Sequence, residues 1–214
     1  MMNLLATFPW FEMLGTFVFA LSGAIVAAHL RQTFVTVCFF AFLTGVGGGS
    51  VRDVMLGQEA FWIADPYAGP VVLIAALLAW FSPVRWWEGR LLEWADAIGL
   101  AAFAALGTAK ALSFGVAPIS AIVLGIVSGC VGGIIRDVVA GVPSILMRPE
   151  LYVTAAALSA LTATVLLMLD MPRAPALAIA TVLGIALRGA ALVWRIELPA
   201  YSRHGSDPDH PTSA

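Results

Sequence analysis

Gly48-Gly49-Ser50-Val51-Arg52-Asp53-Val54-Met55-Leu56-Gly57 recurs 84 residues later as Gly132-Gly133-Ile134-Ile135-Arg136-Asp137-Val138-Val139-Ala140-Gly141. The same offset relates further identical pairs upstream: Trp10, Gly15, Phe19, Ala20, Gly23, Ala27 and Gly45 match Trp94, Gly99, Phe103, Ala104, Gly107, Ala111 and Gly129. Both copies lie in apolar stretches, where glycines weaken a helix and charges are costly in a membrane. A costly arrangement that occurs twice indicates a transport pathway between two related halves.

The composition is that of a membrane protein. Of the 214 residues, 61% are hydrophobic and 11% are charged, whereas soluble domains carry about 25% charged residues. The net charge of −2 and the lack of a basic cluster exclude nucleic acid as a partner. Cys38 and Cys130 have no metal-ligand spacing, and we interpret them as small core residues.

Seven apolar stretches approach the length of about 20 residues that crosses a bilayer. They are Phe11–Ala28, Phe34–Gly57, Tyr67–Phe81, Trp94–Leu112, Ala117–Gly141, Tyr152–Leu169 and Ala174–Trp194. The third is short and the least secure. A soluble helical bundle would need polar faces that these segments lack. We therefore predict an all-α membrane protein of seven transmembrane helices in one domain, residues 1–201, followed by a disordered tail at 202–214.

Each repeat contains three spans, so the chain leaves a repeat on the side opposite its start. Repeat one (about 10–82) and repeat two (about 94–169) are then predicted to be inverted relative to each other, as in many transporters. The extra span, about 174–194, packs against them or makes oligomer contacts.

Positive residues predict the orientation of the chain in the membrane. One side carries Arg31, Arg85, Arg90, Arg148, Arg195 and Arg203, against Arg173 and Lys110 on the other. We expect the amino terminus outside, the carboxyl terminus in the cytoplasm, and tryptophans at the interfaces, including Trp86 and Trp87.

Glycines mark the middle of spans two and five. The candidate bend residues are Gly47, Gly48, Gly49, Gly129, Gly132 and Gly133. A glycine run lets a helix open and free carbonyl oxygens, which are tolerated in a membrane only against protein or a water-filled cavity. Such oxygens coordinate small cations that shed water, so a transient monovalent cation is expected there. Close helix packing is the alternative, because Gly45 and Gly49 form a small-xxx-small pair.

An arginine and an aspartate follow each glycine run by one turn. Neighbouring residues on a helix point in different directions, so Arg52 and Asp53, like Arg136 and Asp137, need not pair with each other. We expect the arginines near opposite mouths of the pathway and the aspartates orienting them. Alternatively, the pairs anchor helix ends at the headgroups, with Gly57 and Gly141 as helix stops.

The remaining polar candidates on these spans are Thr44, Ser50 and Ser128, which either line the pathway or bond their own backbone. Lys110 has no charged repeat partner and is interpreted as an interfacial lysine. No catalytic triad, zinc spacing or phosphate-binding loop occurs, so we predict no enzyme activity, no cofactor and no resident metal.

These residues resemble the trimeric intracellular cation (TRIC) channel family, in its prokaryotic branch. The resemblance is carried by Gly47-Gly48-Gly49-Ser50-Val51-Arg52-Asp53, by Gly132-Gly133-Ile134-Ile135-Arg136-Asp137 and by Phe19-Ala20-Leu21-Ser22-Gly23-Ala24. It implies a homotrimer in membrane lipid, with a pore between two glycine-kinked helices in each subunit that conducts potassium and other monovalent cations. Where eukaryotic members carry a lysine-glutamate-valine lipid-binding motif, this chain has Ser50-Val51-Arg52-Asp53.

Three functions remain open at this point. The first is a passive channel for potassium or sodium ions. The second is a carrier for a small solute such as glycine, using the same central site with the two halves rocking. The third is a membrane protein whose glycines serve only helix packing.

Overall fold

A computed structural model describes residues 9–83, 90–147 and 149–199, and these residues form helices without a sheet. The helices are α1 (Pro9–His29), α2 (Phe34–Met55), α3 (Phe61–Ala64), α4 (Ala68–Phe81), α5 (Leu91–Ser113), α6 (Pro118–Ala140), α7 (Tyr152–Met168) and α8 (Arg173–Trp194). A 3-10 turn, Ile145–Met147, lies between α6 and α7.

Seven of these helices overlap the seven predicted stretches, and the four-residue α3 is an addition that the sequence did not predict. Five helices of the described residues are long and apolar enough to cross a membrane, namely α1, α2, α5, α6 and α8. The helices α4 and α7 are shorter, with 14 and 17 residues. The predictions for Arg85, Trp86, Trp87, Arg148, Arg203 and the tail at 202–214 lie outside the described residues.

Local signals explain where the two glycine-rich helices begin and end. Thr33 caps the start of α2 by accepting a hydrogen bond from the Thr36 amide, and Pro118 occupies the first turn of α6, where its missing N–H costs nothing. Beyond the last turns, Gly57 and Gly141 have φ angles of 66° and 68°. Only glycine adopts this left-handed geometry without strain, so both residues act as the helix stops that the alternative interpretation assigned to them.

The two repeats use the same internal packing. Helix α1 packs against α2 and α4, and α5 packs in the same way against α6 and α7. The halves meet through α1 with α5 and through α2 with α6, while α8 packs on α5 and α7. Phe19 stacks on its repeat partner Phe103 with ring centroids 5.4 Å apart. Equivalent residues therefore face each other where the halves join.

The contact between α2 and α6 is made by backbone rather than side chains. A methyl group at Gly48 would overlap the carbonyl oxygen of Ser128, and one at Gly132 would lie 2.8 Å from the carbonyl oxygen of Thr44. Gly48 and Gly132 are repeat partners, as are Thr44 and Ser128, so the contact is reciprocal. Both glycines are buried because the other helix occupies the space of their missing side chains.

At the remaining candidate glycines, atoms of neighbouring residues also occupy the space where a side chain would lie. A methyl group would lie 2.8 Å from the Ile135 side chain at Gly47 and 2.6 Å from the Phe61 ring at Gly49. At Gly129 it would lie 2.7 Å from the Leu100 carbonyl. The backbone is α-helical through both glycine runs. The opened segments with freed carbonyls that we expected are therefore not present in this conformation, in which the glycines serve close packing.

Replacing Gly48 by alanine is expected to lower the free energy of unfolding in detergent by about 1–3 kcal/mol, the usual cost of overpacking. The reason is that the new methyl group must displace the backbone of α6 at Ser128. Gly69 is the matched control, because it lies in α4 with no atom within 4 Å of a methyl group there. Gly69→Ala should be neutral or slightly stabilising. Equal thermal-unfolding midpoints for the two variants would contradict the packing role of Gly48.

Candidate functional site

The first charged site, the first-half cluster, consists of Glu12, Arg52, Asp53 and Lys110. The fully buried Arg52 donates from Nε to Asp53 Oδ1 at 2.8 Å and from Nη2 to Glu12 Oε1 at 2.8 Å. Lys110 Nζ lies 2.8 Å from the same Asp53 oxygen. Glu12 lies in the first turn of α1, and Arg52 and Lys110 lie in the last turns of α2 and α5. The cluster therefore joins three helices from both halves.

The turn after α2 holds Asp53 in place. Its second oxygen, Oδ2, accepts a hydrogen bond of 2.9 Å from the backbone amide of Phe61. The left-handed Gly57 reverses the chain, so that α3 begins beside the end of α2. The Phe61 ring also lies under the Arg52 guanidinium, 5.9 Å from ring centroid to Cζ. The carboxylate is thus fixed by charge on one side and by backbone on the other.

The second-half cluster, formed by Asp96, Arg136 and Asp137, repeats this arrangement. Arg136 donates from Nε to Asp137 Oδ1 at 2.9 Å and from Nη1 to Asp96 Oδ1 at 2.6 Å. Asp137 Oδ2 accepts 2.8 Å from the amide of Ile145, eight residues on, as Asp53 does from Phe61. An additional bond of 3.2 Å runs from Arg136 to Ser22 of α1, and it crosses between the halves.

The two clusters are equivalent at the 84-residue offset except at one position. Glu12 matches Asp96, while Lys110 matches the apolar Val26. The formal charges therefore cancel in the first-half cluster and leave −1 in the second-half cluster. Asp96 and Lys110 lie 14 residues apart on α5, which is about 21 Å along a helix. The clusters thus sit near opposite ends of the bundle.

A cavity of about 350 Å³ opens beside the second-half cluster. Asp96, Arg136 and Asp137 line its inner part, and Glu93 and His29 contribute further polar groups. The rest of the lining is largely apolar: Val26, Leu30, Leu92, Val142, Pro143 and Ile145. We call this space the vestibule. It borders the charged side chains of the second-half cluster.

The predicted hydroxyl residues have different environments. Ser50 donates to the carbonyl of Val46 in its own helix at 2.7 Å and accepts from the Trp62 indole at 2.9 Å. Thr44 and Ser128 are buried, and neither hydroxyl has a hydrogen-bond partner within the described ranges. They lie one turn before the glycines at the crossing of α2 and α6. Unpaired buried hydroxyls are uncommon and mark sites where water or an ion can be accommodated.

Sequence reasoning found the arginines and aspartates but not all of their partners. Each arginine does bond the adjacent aspartate, since its long side chain folds back along the helix. Arg52 is fully buried and Arg136 is only 3% exposed, so neither acts as a headgroup anchor. Glu12 and Asp96 were missed although they are repeat partners and both acidic.

Lys110 was also interpreted differently. It was predicted to be an interfacial lysine. In the structure its side chain is 21% exposed and forms an ion pair with Asp53. A single unmatched lysine gives no sequence signal for such a contact. The same is true of Arg188, which is buried in α8 and bonds Glu150.

Comparison with known proteins places this site in a family. A family model described as "Glycine transporter" matches residues 9–83 and 93–168, which are the two repeats. The UPF0126 inner membrane protein YadS of Escherichia coli is 34% identical over 199 residues, covering 90% of this chain and 95% of that protein.

Solved structures of TRIC channels have the same fold. The TRIC channel orthologue from Rhodobacter sphaeroides superposes with a TM-score of 0.80 at 34% identity, covering 87% of this chain and 97% of that one. Another TRIC cation channel, solved to explain conductance, also has a TM-score of 0.80, at 28% identity and with 94% and 100% coverage. This all-helical, multi-pass membrane protein belongs to the TRIC family, in its prokaryotic branch.

Proposed function

We propose that the protein is a passive channel for monovalent cations, permeable to potassium, with a pore inside each subunit between α2 and α6. The observation that carries the proposal is the pair of equivalent charged clusters at opposite ends of the bundle, with the glycine crossing of α2 and α6 between them. The channel structures that share this fold support it.

The proposed topology has seven spans in one domain of residues 1–201 within the inner membrane. Arg31 follows α1, Arg90 precedes α5 and Arg195 follows α8. With seven crossings these arginines fall on one side, which the positive-inside rule assigns to the cytoplasm. The amino terminus is then outside, the first-half cluster faces outward and the vestibule faces the cytoplasm. The reciprocal contact of Gly48 and Gly132 supports an inverted, two-fold relation of the repeats.

Permeation requires the glycine crossing to open. In the conformation described here the two backbones touch, so we interpret it as closed. Gly47–Gly49, Gly129, Gly132 and Gly133 are the proposed hinge, because a helix bends most easily where side chains are absent. The unpaired hydroxyls of Thr44 and Ser128 are then available to a passing ion, together with the released carbonyls. Ser50, which is already bonded twice, contributes to the pathway only by holding Trp62.

Charge explains why such a pore prefers cations. The second-half cluster carries −1, and Glu93 at the vestibule adds another negative charge. A charged cleft with low-dielectric walls concentrates ions of the opposite sign. Arg136 and Arg52 keep the carboxylates from binding a cation too tightly, since each aspartate shares an oxygen with a guanidinium. Lipid around the helices and a homotrimeric assembly complete the proposal, which the trimeric state of the related channels supports.

The decisive experiment is reconstitution into planar bilayers with potassium chloride on both sides. Discrete currents that reverse with the potassium gradient are expected. Saturable uptake of labelled glycine into vesicles, without currents, would instead favour the carrier that the family description suggests. Gly48→Leu should abolish currents because the larger side chain jams the crossing, whereas Gly69→Ala should conduct normally.

Removing Lys110 is expected to raise the open probability. Its bond to Asp53 ties α5 of the second half to α2 of the first half, and loss of such a tie favours a state in which the halves separate. The expected change in Lys110→Gln is roughly twofold to thirtyfold, as for other couplings through packed side chains. Arg31→Gln removes an equal charge at an exposed site and is the control. If Lys110→Gln keeps the wild-type open probability, the Lys110–Asp53 ion pair does not hold the two halves together.

Neutralising Glu93 is expected to reduce the conductance for cations that enter the pore from the vestibule. The effect should appear near 0.01 M salt, where the Debye length is about 30 Å, and vanish near 1 M, where it is about 3 Å. Glu59→Gln is the matched control, because Glu59 is exposed in the connection after α2, away from the vestibule. Single-channel conductance measured over this salt range tests the prediction. A salt-independent change in Glu93→Gln would contradict an electrostatic role.

A further inference from the structure

A third buried arginine lies outside the duplicated unit. Arg188 of α8 is fully buried and donates from Nη2 to Glu150 Oε2 at 2.5 Å. Its guanidinium also lies over the ring of Tyr152, 5.5 Å from Cζ to the ring centroid. A charge buried in this way is costly unless it is paired with an opposite charge and hydrogen-bonded.

Tyr152 carries the contact from α8 to the second-half cluster. A methyl group at Gly133 would lie 2.6 Å from Tyr152 Oη, 3.3 Å from Asp96 Oδ1 and 3.8 Å from Arg136 Nη2. The tyrosine hydroxyl and the ion pair therefore surround one point, which only a glycine leaves empty. The hydroxyl of this fully packed tyrosine is thus part of the wall around the buried charges.

The start of α7 is also held from behind by the chain that follows α8. The backbones of Glu150 and Glu197 form a bridge, and the Leu198 amide donates to the Pro149 carbonyl at 2.6 Å. Together with the Arg188–Glu150 pair, these bonds fix Pro149 and Glu150, which lie three and two residues before Tyr152. The orientation of the tyrosine therefore depends on α8 and the segment after it.

The first half has no equivalent of this arrangement. The repeat partner of Tyr152 is Ala68, and that of Glu150 is Pro66. Helix α8 packs only on helices of the second half, α5 and α7, among its substantial contacts in the described residues. Since the first-half cluster is built without a tyrosine and without a seventh helix, neither is required to form a cluster of this kind. Their presence at one cluster indicates control of that mouth.

We propose that Arg188 is a positioning residue that holds the Tyr152 hydroxyl against the second-half cluster, and that α8 thereby sets the opening of the cytoplasmic mouth. The proposal rests on the channel function proposed above. Arginine suits this role because its flat guanidinium stacks on the ring while it bonds the carboxylate, and lysine cannot do both. Motion of α8 would move Tyr152, and with it the contact of its hydroxyl with the second-half cluster.

The first test measures the position of Tyr152 without relying on transport. The chain has three tyrosines, Tyr67, Tyr152 and Tyr201, so 3-fluorotyrosine gives three ¹⁹F resonances, and Tyr152→Phe assigns one. Arg188→Gln and the charge-conserving Arg188→Lys are expected to shift the Tyr152 resonance. Arg31→Gln, which removes an exposed charge in the connection after α1, should leave it in place. An unmoved Tyr152 resonance in the folded Arg188→Lys variant would overturn the proposal.

The second test asks whether this position acts on the mouth. In bilayers, Arg188→Lys should change the open probability by roughly twofold to thirtyfold. In the Tyr152→Phe background, which keeps the ring but lacks the hydroxyl, the same change should have no further effect. Additive effects would overturn the proposal and leave Arg188 a merely structural residue. If the wild-type protein does not conduct, yet the Arg188 variants shift the Tyr152 resonance, the channel function is rejected and the positioning role is retained.

Discussion

The structure depends on the approach of two backbones where α2 crosses α6. Gly48 lies against the Ser128 carbonyl, and Gly132 lies against that of Thr44, at distances that any side chain would prevent. Without a hydrophobic driving force between helices in lipid, such small-residue contacts are a main source of association. The contact also fixes the separation of the two charged clusters, because each arginine follows its glycine by four residues in the same helix.

The clusters show how a membrane protein can bury five charges without leaving them isolated. Each guanidinium meets two carboxylates, and each aspartate also accepts a backbone amide from the turn that follows its helix. Breaking a buried pair costs about 3–5 kcal/mol because it strands the other charge. This cost makes the clusters rigid, while the glycine crossing between them is held only by packing. A rigid end and a soft middle suit a pathway that opens at its centre.

The repeat made much of this fold predictable. Seven helices lie where the apolar stretches indicated, and Gly57 and Gly141 end their helices, a role that only the alternative interpretation had given them. The glycine runs were harder, since low helix propensity favours a bend and the absence of a side chain favours packing. The glycines are packed here because a neighbouring backbone fills the space of their missing side chains.

Partners of the arginines were missed for another reason: Glu12 and Asp96 lie 40 residues before them, and periodicity carries no information on such contacts. Lys110 has no charged repeat partner and Arg188 lies outside the repeat, so the repeat could not reveal their roles.

The reciprocity of the crossing has an evolutionary meaning. A surface on which Gly48 meets Ser128 while Gly132 meets Thr44 is complementary to itself, as is the stack of Phe19 on Phe103. One three-helix unit with this surface can associate with a second copy of itself, provided the two insert in opposite directions. After fusion of two such genes, the two copies no longer have to be identical. Lys110 on one copy, and a seventh helix beside it, are innovations that become open to selection only after that union.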